Sequence, residues 1–199
     1  MKKSVSNKVV IWLFVVSILV LLVLLCSFLL FFNKESNKHD IVVDNGKLLM
    51  SYSSANNSLT IDDSFQLSDE DAIKLDGDSY YFDFSVSADL KDSSKMEYEI
   101  VVTKDVKNST IPDEDVLIYL EKVESGSYVD VFKPKKYKTL TNKSELGAPV
   151  GSMILSKVTL KKDSSDNYRL RMWISDKAVL DTTQLNAYSV KIDIYGKSF

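Results

Sequence analysis

Apolar and polar residues alternate with a period of two along four separate stretches of this chain, a pattern that belongs to strands and not to helices. Tyr80, Phe82, Phe84, Val86 and Ala88 alternate with Tyr81, Asp83, Ser85 and Ser87. Met96, Tyr98, Ile100 and Val102 alternate with Glu97, Glu99, Val101 and Thr103. The same holds for Tyr168, Leu170, Met172 and Ile174, and for Tyr188, Val190, Ile192 and Ile194. Successive side chains of a strand point to opposite faces, so each stretch predicts a half-buried strand. Weaker strands are expected near Lys47–Tyr52, Ser58–Phe65, Val116–Val123, Tyr128–Phe132 and Ser152–Leu160, separated by turn chemistry such as Ser125-Gly126 and Lys133-Pro134. Eight or nine strands with one polar face each bury the other face most economically in two facing sheets. The expected fold is therefore mainly β, an antiparallel β-sandwich of immunoglobulin-like or jelly-roll type. Two short helices are expected, Ser68–Leu75, with capping-box spacing at Ser68 and Asp71, and Ser175–Leu180.

A second feature sets a different requirement on the N-terminal part. Val9–Phe32 holds 22 apolar residues in 24 positions, broken only by Ser17 and Ser27. As a helix this block would measure about 36 Å, against a hydrocarbon core of about 30 Å. Twenty of these residues are Leu, Ile, Val or Phe, whose insertion into lipid is favourable. A cleaved secretory signal would have a shorter core and small residues at its exit, where this chain has Phe28 to Phe32. A lipoprotein would have a small residue before Cys26, where Leu25 stands. The expectation is a single transmembrane α-helix over residues 9–32, a signal-anchor that contacts the lipid bilayer. A basic cap over residues 1–8 carries Lys2, Lys3 and Lys8, which predicts a cytoplasmic N-terminus. A polar juxtamembrane linker is expected over residues 33–40, and an extracytoplasmic domain over residues 41–199.

Residues after Phe32 carry 22 Lys and Arg against 28 Asp and Glu, which argues against nucleic acid as a partner. His39 in the expected linker is the only imidazole and Cys26 in the apolar block the only thiol. Triads, zinc sites and Cys-His pairs need residues the domain lacks, so no catalytic residue is assigned and the expectation is a protein that is not an enzyme. No cofactor is expected. The acidic residues Asp69, Asp71, Asp76 and Asp78 are weak calcium candidates, set against solvated loops and a helix N-terminus. Lys133, Lys135, Lys136 and Lys138 form the only basic run of the domain, a candidate contact with cell-wall polymer, lipid headgroups or an acidic protein. Arg169, Arg171 and Trp173 fall opposite the apolar face of their strand, which suits either a contact patch or a central strand covered on both sides.

Three segments follow one another in a familiar order: Ser68-Asp69-Glu70-Asp71-Ala72 before an aromatic strand, then Tyr98 to Asp105, then Tyr168 to Ser175. In this the chain resembles a group of cell-surface β-domains of Gram-positive bacteria, and more distantly it is similar to the camelysin and TasA biofilm-matrix proteins. The resemblance implies a sandwich over about residues 55 to 196 and transfers no catalytic residue. The matrix proteins have a cleavable signal, whereas an uncleaved anchor is expected here. Together these readings point to a membrane-anchored binding or structural module at the bacterial cell surface. The alternatives are a carboxylate-dependent enzyme acting on the cell wall and a subunit of an envelope complex.

Overall fold

The computed structural model describes residues 12, 14–23, 37–43, 46–54, 56–75, 81–91, 95–162 and 164–199. The chain divides into two compact units, Met1–Glu35 and Ser36–Phe199. In the first, residues 14–23 form a helix, α1, with exposed apolar side chains: Phe14 is 69% and Leu21 66% exposed. Among the described residues no helix is long and apolar enough to cross a membrane. Much of the expected span, residues 9–11, 13 and 24–32, lies outside them.

The second unit is built almost entirely of strands: β1 (Asn37–Val43), β2 (Gly46–Tyr52), β3 (Ser58–Asp62), β4 (Gln66–Leu67), β5 (Tyr81–Leu90), β6 (Lys95–Lys104), β7 (Val116–Glu124), β8 (Ser127–Lys136), β9 (Met153–Lys161), β10 (Ser165–Ser175) and β11 (Ala187–Ser198). A larger sheet has the order β1-β2-β5-β10-β7-β8, with β4 added to β10, and a smaller one the order β3-β11-β6-β9. Every pairing is antiparallel except the two-residue contact of β4 with β10. The inward residues of both sheets belong to one apolar cluster, in which Phe82, Leu170 and Ile118 from the larger sheet join Tyr98, Ile100, Ile192 and Ile194 from the smaller. The domain is thus a β-sandwich, and the four alternating stretches are four of its strands. Backbones approach closely near Gly196, where a Cβ would lie 2.9 Å from the Glu97 carbonyl oxygen and 2.9 Å from the Leu48 side chain.

Three expectations change. Residues 37–40 are not linker: they open β1, with His39 opposite Met50 and Asp40 opposite Leu49. An edge strand of a sheet that faces water can be polar and still form its ladder, so composition alone hides it. No helix forms over Ser175–Leu180. Ser175 ends β10, its N–H donates to the Asp115 carbonyl at 2.8 Å, and Gln66 Nε2 donates to the carbonyls of Ser175 and Ala178, so tertiary bonds take the groups a helix would use. The run Ser58–Phe65 is a strand to Asp62 followed by a 3-10 turn. The other short helix, α2 (Asp69–Lys74), forms as expected, with Ser68 Oγ accepting from the Asp71 N–H at 3.2 Å.

Candidate functional site

Side chains of directly paired residues in an antiparallel sheet lie on the same face, so register assigns the outer face of the larger sheet row by row. The first row pairs Trp173 with Leu117 and Leu117 with Lys136. Here α2 covers the sheet: Ala72 packs with Leu117, Tyr119 and Trp173, and Trp173 Nε1 donates to Asp69 Oδ1 at 3.2 Å. The next row runs Tyr81, Arg171, Tyr119, and the one after it Asp83, Arg169, Glu121, Asp130.

Four of the five charged residues in these two rows are paired, and the fifth, Asp130, accepts from the Tyr119 hydroxyl. Arg171 Nε donates to Glu121 Oε2 at 3.1 Å and its Nη1 to the Leu75 carbonyl at 2.6 Å. Arg169 grips Asp83 in bidentate fashion, both bonds 2.8 Å, and its guanidinium lies 3.4 Å from the centre of the Tyr81 ring and 4.4 Å from that of Tyr128. The Asp83 carboxylate at Arg169 raises the arginine above its already high ordinary value. Burial, with Asp130 and Glu121 beside it, raises the Tyr119 hydroxyl, which is hydrogen-bonded to both carboxylates.

A fourth row has a different character. Ser51 pairs with Ser85 and Ser85 with Asn167; one step along the same register, Val123 and its partner Tyr128 extend the row. These residues, with Ser53 and Asp83, line an open trough of about 360 Å³. Tyr128 is 44% exposed and closes one end. Tyr128 also carries a hydroxyl raised chiefly by burial against its neighbours.

A larger cavity of about 680 Å³ lies against the smaller sheet, between β3, β11 and the segment around residues 105–110. Its polar groups bond mainly to one another: Thr60 Oγ1 with Ser189 Oγ at 2.9 Å, Thr110 Oγ1 to the Leu185 carbonyl at 2.9 Å, and Asn108 Nδ2 to Asp105 Oδ2 at 2.7 Å. The Asn108 bond holds the Asp105 carboxyl below its ordinary value.

The structure distributes the sequence-derived candidates as follows. Arg169, Arg171 and Trp173 do not form an exposed patch; they are 8%, 5% and 1% exposed, in a central strand covered on both faces. Of the calcium candidates, Asp69 accepts from Trp173 and Asp71 bonds Ser68, so both serve the α2 junction, while Asp76 and Asp78 lie outside the described residues. No three His, Cys, Asp or Glu residues among the described ones are placed to hold a metal ion. The lysine run does not converge on one face. Lys135 pairs with inward-facing Ile118 and places its ammonium 3.9 Å from the centre of the Phe132 ring. Burial lowers its pKa. Lys136 pairs with outward-facing Leu117, Lys133 is exposed, and Lys138 reaches Glu114 at 3.6 Å.

Sequence reasoning did not single out Ser51, Ser85, Asn167 and Tyr128. The alternation marks Ser85, and the matching alternation in β10 marks Asn167, as outward-facing; only register brings them into one row with Ser51 and Tyr128. No protein-family model matches the chain, and no curated protein matches it either.

Proposed function

We propose that the chain is a single-pass membrane protein whose N-terminus stays in the cytoplasm and whose β-sandwich stands outside a bacterial membrane as a binding or structural module. The observation that carries this reading is the apolar block over residues 9–32, within which α1 has exposed apolar side chains of the kind that insert favourably into lipid. The basic cap supports the orientation. Within the sandwich, the order β3-β11-β6-β9 facing β5-β10-β7-β8 supports a jelly roll over an immunoglobulin-like arrangement, with β1 and β2 as an added hairpin. This suits the resemblance to the camelysin and TasA group.

The module is favoured over a carboxylate enzyme because acids of the outer face are engaged: buried Glu121 by Arg171 and half-buried Asp83 by Arg169. The two edges of the larger sheet also differ. Edge strand β8 carries Pro134 and two register shifts against β7, features that block further pairing, whereas β1 pairs evenly with β2 and has neither. Strand addition at β1 is the route by which such a module would join a partner chain. A subunit role in an envelope complex has less support, since the proposed span lacks Gly and charge.

Carbonate extraction of membranes and protease treatment of intact cells test the placement. The chain should stay in the membrane pellet, and the domain should be digested from outside. Release by carbonate, or full protection on intact cells, overturns it.

A further inference from the structure

The fourth row of the larger sheet's outer face has unspent hydrogen-bonding capacity, and it is the feature of the domain that most resembles a ligand surface. The side chains of Ser51, Ser53, Ser85 and Asn167 make no hydrogen bond within the described residues, although Ser51 and Ser85 are half-buried in the trough. Strands are about 4.8 Å apart, so the row from Ser51 to Tyr128 spans roughly 19 Å over five strands. It offers a hydroxyl, a second hydroxyl, a carboxamide, the apolar Val123 and an aromatic ring in one row across the sheet. Tyr128 is backed by the Arg169 guanidinium 4.4 Å away and remains 44% exposed at the trough. Beside the row stand the carboxylates of Asp83, Glu121 and Asp130 against the guanidinium groups of Arg169 and Arg171, so the trough has no surplus of positive charge with which to hold an anion.

We propose that this trough binds a neutral, extended glycan chain, with Ser51, Ser85 and Asn167 bonding sugar hydroxyls or acetamido groups and the Tyr128 ring stacking on a pyranose face. A β-linked glycan is an extended ribbon that repeats its hydroxyls at about the strand spacing, whereas a coiled α-glucan would leave the row. The apolar face of a sugar suits an aromatic ring, and its hydroxyls suit short polar side chains whose partners are missing. The biological meaning rests on the extracytoplasmic placement proposed above; the chemistry of the trough does not.

The test is calorimetric titration of the full-length chain in nanodiscs with three probes: a β-1,4-linked N-acetylglucosamine hexamer, cellohexaose and maltohexaose. Binding of either β-linked oligosaccharide is expected, with preference for the acetylated one if Asn167 reads the acetamido group. Tyr128→Ala should weaken it by about tenfold, the equivalent of roughly 1.4 kcal/mol. Asn167→Ala should weaken it a few-fold, while Lys107→Ala at the other cavity should leave it unchanged. Circular dichroism of each variant separates loss of binding from loss of fold. No binding at millimolar β-linked oligosaccharide overturns the proposal, as does binding that Tyr128→Ala and Asn167→Ala leave intact or that maltohexaose matches. A domain that is exposed on cells but binds none of these probes removes the glycan and keeps the module. A domain that binds them but is protected on intact cells removes the module's location and keeps the trough.

Discussion

The two outer faces of the sandwich solve the same problem differently. Each covers charged or polar side chains that stand opposite the core. The larger sheet does so with opposite charges, Arg171 with Glu121 and Arg169 with Asp83, beneath α2 and two tyrosine rings. The smaller sheet also has ion pairs, such as Asp193 with Lys191 at 3.0 Å, but its most buried acid, Glu99, 2% exposed, accepts from Ser144 Oγ at 2.6 Å and from the Glu145 N–H at 3.0 Å, so a loop supplies neutral donors to a buried carboxylate. The cavity on the smaller face is the roomier, yet its hydroxyls and amides mainly satisfy each other, whereas the smaller trough opposite leaves Ser51, Ser85 and Asn167 without partners. Volume is therefore a poor guide to a site in this domain. Polar groups that no protein group engages are the better one, because a ligand has only water to displace from them.

The largest effect that would test this contrast is removal of a partner from the buried ion pair. Glu121→Ala leaves Arg171 charged and 5% exposed without its carboxylate, and should cost about 3–5 kcal/mol in urea unfolding. A loss under about 1 kcal/mol would mean that the larger face does not depend on its charge pairs.

The interior between the faces gives the next effect. Tyr98 from the smaller sheet and Tyr168 from the larger share a hydrogen bond of 2.5 Å, and Tyr98 also donates to Asp166, which is paired with Lys122 at 2.8 Å. Burial raises both hydroxyls well above the ordinary tyrosine value, and it pushes Tyr137 up to about 12. A raised pKa means that the folded state keeps its proton when the unfolded chain has lost it. The stabilisation is then complete below pH 10 and falls as pH rises toward 12, by about 1.4 kcal/mol per pH unit for each such tyrosine. Unfolding free energies measured between pH 9 and 11.5 should fall along this slope, and Tyr98→Phe should flatten it. A flat profile in the unaltered chain would remove the interior from the comparison and leave the two faces as its only terms.

The smallest effects are the sharpest. Thr60→Val removes the partner of Ser189 on the smaller face and should cost about 0.5–1 kcal/mol. Ser85→Ala on the larger face removes nothing already bonded and should stay within about 0.5 kcal/mol of the unaltered chain. Equal costs in thermal unfolding would erase the distinction between satisfied and unspent groups.

Much of the β-domain was legible in the residues. Alternation located β5, β6, β10 and β11, because a strand with one face in the core and one outside cannot hide its period. Ser68 announced α2 because its short side chain accepts from the Asp71 N–H as an N-cap residue does. The strand β1 was not legible: Asn37 to Asp40 are polar, and an edge strand needs only a neighbour's backbone. The candidate site was legible only in part. Arg169, Arg171 and Trp173 stood out as unusual on an outward face, but whether such a face meets solvent depends on α2, Tyr81 and Tyr128, which reach them from elsewhere in the chain. The lysine run is continuous in sequence, yet strand geometry sends Lys135 inward and Lys136 outward.

The sequence by itself determined the mainly-β domain, the inward set of side chains and the apolar block at the N-terminus, because periodicity and hydropathy are local properties. Only the tertiary structure decided which outward residues are covered, which charges are paired, and which short polar side chains line up without partners. Those depend on register between strands far apart in the chain, and a period of two says which face a residue takes without saying what lies beside it.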